Sequence, residues 1–181
     1  MGALLDQKYE KLFSLLDANG DGVIAEDDFT LMAARVIETF GDGPLASKGK
    51  AYADEMLKYW RALRDTADTD GDGQVDKDEF SRALHQVSDS FDTLVGPLYR
   101  AGFHLADRDD DGLVTKEEFT VVMVAIGVPP EEAGAAFDRL TERGGGPDGQ
   151  LSQDQLMSAA EQFYRTEDPA DTAGHLLFGT L

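Results

Sequence analysis

The stretch from Asp107 to Glu118 constrains this chain more than any other. It fits the pattern D-x-[DN]-x-[DN]-G-x5-E at every specified position, which places oxygen ligands at fixed places in a twelve-residue loop. Asp107, Asp109 and Asp111 offer carboxylates at positions 1, 3 and 5, Leu113 a backbone carbonyl at position 7, and Glu118 two oxygens at position 12. Thr115 stands at position 9, where a water commonly completes the shell. Gly112 at position 6 permits the sharp turn, because a residue without Cβ reaches positive φ cheaply. Such crowding of acids suits a hard cation that takes six to eight oxygens. A solvated acidic run needs neither the register nor the glycine.

The chain repeats itself. Asp17, Asn19, Asp21, the Val23 carbonyl and Asp28 occupy the same slots in a first loop, with Gly22 at the turn. Asp68, Asp70, Asp72, the Gln74 carbonyl and Glu79 do so in a second, with Asp76 at position 9 acting directly or through water. The first loop closes on Asp28 where the others have glutamate, and a shorter carboxylate that binds through one oxygen suits Mg²⁺. A fourth loop, 144–155, is readable from Gly149, Leu151 and the capping-box pair Ser152 and Gln155. It has glycine at positions 1 and 3 and only one acid at a ligand position, Asp148, so it should hold no Ca²⁺. Three Ca²⁺ sites are therefore expected, with Mg²⁺ most at home in the first.

Apolar residues at helical spacing flank each loop. Leu5, Tyr9, Leu12, Phe13 and Leu16 form one stripe, and Phe29, Met32, Ala33, Val36, Ile37 and Phe40 the next. Trp60 and Leu63 precede the second loop, Phe103 the third, and Phe137 and Leu140 the fourth. Pro97 predicts a kink or a late helix start, and Gly127 a helix C-cap. Position 8 carries Ile24, Val75, Val114 and Leu151, apolar residues suited to short strands that pair loops back to back. The expected fold is all-α, four helix–loop–helix units in two pairs, 1–88 and 89–181, packed into a compact globule. The apolar tail with Leu176, Leu177, Phe178 and Leu181 is expected to tuck into a groove between them.

Sixteen basic against 36 acidic residues give a net charge of −20, which disfavours nucleic acid and anionic membranes and favours cations. Without cysteine there is no disulfide framework, thiolate nucleophile or Cys-based zinc site. No apolar run is long enough for a membrane span, and the N-terminus lacks a signal-peptide pattern, so a soluble, cytoplasmic monomer is expected. His85, His104 and His175 read as surface or packing residues and Trp60 as core. No nucleophile–base arrangement stands out, so the reading is not an enzyme.

Three competent loops, one degenerate loop, the long separation of the first two, Phe91-x-x-Leu94-Val95-Gly96-Pro97 and the closing Leu176-Leu177-Phe178-Gly179 resemble the sarcoplasmic calcium-binding proteins and the calerythrin group of actinobacteria. The resemblance spans essentially the whole chain. In calerythrin the second hand is silent, whereas here it is the fourth. It implies an EF-hand fold with two face-to-face pairs and tight Ca²⁺ binding. A calcium buffer or transporter is the expected function. The alternative is a sensor that opens a groove to a protein target of unknown identity. Sensor grooves tend to be rich in Met, and the four internal methionines, Met32, Met56, Met123 and Met157, are scattered one per segment.

Overall fold

Burial of one apolar stripe per helix builds the fold. In the computed structural model, which describes residues 3–85, 91–142 and 149–165, helix α1 (Ala3–Leu16) buries Leu5, Tyr9, Leu12, Phe13 and Leu16. Helix α2 (Glu26–Phe40) buries Phe29, Met32, Ala33, Val36 and Phe40. Ile37 departs from the expected stripe and is 48% exposed. One residue on from Val36, it is turned by about 100° around the helix, and nothing packs over that edge closely enough to bury it. A short 3₁₀ turn at Gly43–Leu45 leads to α3 (Ala46–Ala67), which delivers the second loop, and α4 (Lys77–Leu84) leaves it.

The second pair opens with the single-turn α5 (Phe91–Leu94) and restarts as α6 (Gly96–Ala106). Pro97 sits in the first turn of α6, where its missing N–H costs no helical bond, so the proline gives a late start. After the third loop come α7 (Lys116–Ala125), α8 (Pro130–Thr141) and α9 (Gln153–Arg165). Gly127 takes φ 105° beyond the end of α7, the left-handed step expected of it.

The loops pair as their apolar position-8 residues require. Ile24 and Val75 form an antiparallel bridge, while β1 (Leu113–Val114) pairs with β2 (Leu151–Ser152), setting Val114 opposite Leu151. All four side chains are buried. The degenerate fourth loop thus keeps its half of the ladder.

One apolar core runs through both pairs, with Trp60 stacked on Phe29 at 5.5 Å. Helix α1 joins the far ends: the Tyr9 hydroxyl lies 3.1 Å from the Tyr164 carbonyl and 3.4 Å from that of Leu84. Beside it, the buried Lys8 ammonium donates to the Phe163 carbonyl at 3.3 Å. These carbonyls lie in the last turns of α9 and α4 as described, where backbone acceptors can take a side-chain donor. An apolar cavity of about 100 Å³ remains where the pairs meet, among Met32, Tyr59, Phe103, Phe119 and Met123. The junction at 88/89, the Gly144–Asp148 half of the fourth loop, His175 and the apolar tail lie outside the described residues.

Candidate metal centres

Each of the first three loops is drawn into a ring by its opening aspartate. Asp17 accepts N–H bonds from Gly20 at 2.8 Å, Asp21 at 3.1 Å and Gly22 at 3.0 Å. Asp68 accepts from Gly71 at 2.7 Å and Gly73 at 3.0 Å, and Asp107 from Asp111 and Gly112, both at 3.1 Å. At position 5, Asp21, Asp72 and Asp111 accept the N–H of the position-7 residues Val23, Gln74 and Leu113 at 2.8–3.1 Å. These bonds orient the carboxylates without exhausting their lone pairs. The turn itself needs positive φ, and Gly22, Gly73 and Gly112 take 93°, 84° and 82°.

The closing carboxylate stitches the two ends of each loop together. Glu79 accepts the Thr69 N–H at 2.8 Å, the Thr69 hydroxyl at 2.7 Å and the Asp76 N–H at 3.2 Å. Glu118 accepts the Arg108 N–H at 3.3 Å, the Thr115 N–H at 2.9 Å and the Thr115 hydroxyl at 2.7 Å. Asp76 and Thr115 answer by accepting the N–H of Glu79 and Glu118, so both loops end in a reciprocal helix cap. The position-9 side chains are therefore engaged in capping. Asp28, fully buried, accepts from Asn19 at 3.0 Å and Ala25 at 2.8 Å, but Ala25 has no side-chain acceptor with which to reciprocate.

Electrostatics separates these three groups. The Thr69 hydroxyl and N–H hold Glu79 below the ordinary glutamate range. Burial pushes Glu118 up, but bonds from Thr115 and Arg108 outweigh it and leave it lowered as well. Burial dominates at Asp28, aided by the charges of Asp27 and Asp17, and raises it above the usual aspartate value of 3.8.

Oxygens of Asp68, Asp70 and Glu79 all lie within 4.8 Å of one another, and so do those of Asp107, Asp109 and Asp111. That limit is about twice a Ca²⁺–O bond, the separation of two ligands on opposite sides of one ion. Asp72 and Glu118 stand outside these trios. Among the described residues the first loop forms no acidic trio at this spacing. Its position 3 is an amide, and Asn19 Nδ2 donates to Asp21 and Asp27, both at 3.1 Å. The donors are all oxygen and mostly anionic, a set that fits Ca²⁺ or Mg²⁺ and not a softer metal.

Three contributors stand outside the ligand pattern: Thr69 and Asp27 at non-ligand positions of their loops, and Lys48, whose ammonium reaches the third loop from α3. The pairs Asp76/Glu79 and Thr115/Glu118 carry a capping-box pattern that the sequence does display. His85 packs edge-on against Tyr9 at 5.0 Å, with Nε2 3.4 Å from Asp6, and His104 lies beside Phe103.

The EF hand family profile matches residues 10–32, 65–85 and 100–123, the segments around the first three loops. Calerythrin from Saccharopolyspora erythraea is 26% identical over 167 residues, covering 90% of this chain and 93% of that protein. A calcium-binding protein of Streptomyces coelicolor, described in the context of prokaryotic calcium-mediated regulation, is 28% identical and superposes with a TM-score of 0.74 over 88% of this chain and 97% of its own. An amphioxus sarcoplasmic calcium-binding protein, at 22% identity, shares the fold with a TM-score of 0.74 over 100% and 99% of the two chains. Loop chemistry, back-to-back pairing and these likenesses agree: the chain is an EF-hand calcium-binding protein, similar to calerythrin and the sarcoplasmic calcium-binding proteins.

Proposed function

We propose that the chain is a cytoplasmic, monomeric calcium buffer or transporter that carries out no enzymatic step. Its ligands are Asp17, Asn19, Asp21, Val23 and Asp28 in the first loop, and Asp68, Asp70, Asp72, Gln74 and Glu79 in the second. Asp107, Asp109, Asp111, Leu113 and Glu118 serve the third. The first loop, closed by the shorter Asp28 where the others have glutamate, is the one suited to Mg²⁺. What carries the reading is the enclosed core: the loop-bearing helices turn their apolar faces on one another, and among the described residues only Leu31, Ile37 and Val124 are large exposed hydrophobics. Cation binding then neutralises charge without requiring a target.

A sensor is the second reading. It is favoured by the Streptomyces coelicolor protein's link to calcium-mediated regulation and by the exposure of Ile37 and Val124 here, on helices that contact each other. Fluorescence of the apolar dye ANS with metal-free, Mg²⁺-loaded and Ca²⁺-loaded protein separates the two. A buffer gives a signal that falls on adding Ca²⁺, whereas a rise above the Mg²⁺ form means that apolar surface is being presented and overturns the buffer reading.

A further inference from the structure

Lys48 is the third residue of α3 and belongs to the first pair, yet its ammonium is seated in the third loop. Nζ donates to the Asp107 carbonyl at 2.5 Å and to the Asp110 carboxylate at 2.6 Å, with the lysine side chain 20% exposed. Asp110 takes φ 60°, the only non-glycine residue with positive φ among the described residues. The same position 4 in the first two loops holds Gly20 and Gly71, both at φ 78°. Glycine adopts that conformation freely, whereas other L-residues pay about 1–2 kcal/mol for it, aspartate less than most.

We propose that Lys48 is a positioning residue for the third site: it holds the first turn of that loop in its cation-ready shape, replacing the freedom that glycine supplies in the sister loops. This rests on the reading that the third loop binds Ca²⁺. The lysine and Asp110 form a neutral pair, so together they add little net field at the ion. Their contribution is geometric. Two points of the loop, the carbonyl at position 1 and the side chain at position 4, are clamped to a helix whose Tyr52, Met56, Tyr59, Trp60 and Leu63 are locked in the core. By holding Asp110 in the left-handed conformation, the clamp offsets a cost that ion binding would otherwise have to meet and that glycine does not incur.

Two double variants of equal charge isolate the clamp. Lys48→Met with Asp110→Asn removes the tether and keeps a side chain at the left-handed position; Lys48→Met with Asp110→Gly removes the tether and supplies glycine. Calcium titration of the full chain is followed at the Gly112 amide, which donates to Asp107, with Gly22 and Gly73 as references for the other loops. The asparagine form is expected to bind about tenfold more weakly at the third loop, about 1.4 kcal/mol, with the first loop within about twofold of the unmodified chain. The glycine form is expected to recover most of that loss, and Lys48→Arg to retain binding. Equal weakening at all three loops, an unchanged Gly112 response, or failure of glycine to restore binding overturns the proposal. If Gly112 of the unmodified chain ignores Ca²⁺ while Gly22 and Gly73 respond, the calcium reading of the third loop fails and the proposal falls with it.

Discussion

Ile24 and Val75 exchange both of their backbone hydrogen bonds, each at 2.9 Å, across the gap between the first and second loops. Both side chains are fully buried, so the loops are joined through bonds and packing together. Replacing Ile24 with alanine keeps the bonds and opens a cavity, at a cost of about 2–5 kcal/mol. Thermal unfolding of the metal-free protein should show the loss. Calcium titration should show weaker coupling between Gly22 and Gly73, with Gly112 little changed.

Proton affinities at the closing positions should depart from their ordinary values in opposite directions. Asp28 is raised by burial and Glu79 is lowered by Thr69, which narrows the usual gap between aspartate and glutamate. Carboxyl NMR titration of the metal-free protein should find Asp28 above 3.8 and Glu79 below 4.5. Thr69→Val should move Glu79 back up. The sign for stability follows from linkage: the contribution of Glu79 is fully present above its unfolded value and is lost as pH falls through its lower folded one. Asp28 acts oppositely, opposing folding when charged and ceasing to do so as acid protonates it. Glu79→Gln should therefore flatten the acid dependence of apo stability.

Magnesium discrimination should reside in the first loop. Asp28→Ala is expected to abolish the Mg²⁺ response of the Gly22 amide while the Ca²⁺ responses of Gly73 and Gly112 persist. A first loop that ignores Mg²⁺ in the unmodified chain would remove the basis for assigning it that ion.

Two contacts between the pairs should differ in weight. Lys11 and Glu132 approach to 2.9 Å, but each side chain is 31% exposed, and a solvated pair of this kind contributes about 0.2–1 kcal/mol. The Tyr9 hydroxyl is buried against the carbonyls of Leu84 and Tyr164. Tyr9→Phe is expected to cost about 1–3 kcal/mol, because it leaves buried acceptors without that donor. Denaturant unfolding should therefore penalise Tyr9→Phe more than Glu132→Gln, and added salt should narrow the effect of the second only.

The sequence by itself determined the loops and their capacity to pair. Twelve consecutive residues contain almost everything a site needs, so Asp68, Asp70 and Glu79 converge through local turns and a glycine, without help from distant chain. The apolar residue at position 8, Val75 and Val114 among them, was equally local, and it made each loop able to pair with a neighbour. Ser152 and Gln155 form the reciprocal cap that their spacing implied. Tertiary structure decided the rest. Ile37 lies on an apolar pattern, but exposure depends on what packs over a helix edge, and a neighbour's position is not written in the helix. Lys48 stands 59 residues before Asp107, and only the docking of the first pair against the second brings its ammonium to the third loop. Ligand geometry is a property of short-range backbone conformation. Its support is a property of packing, which joins residues at separations that no local pattern encodes.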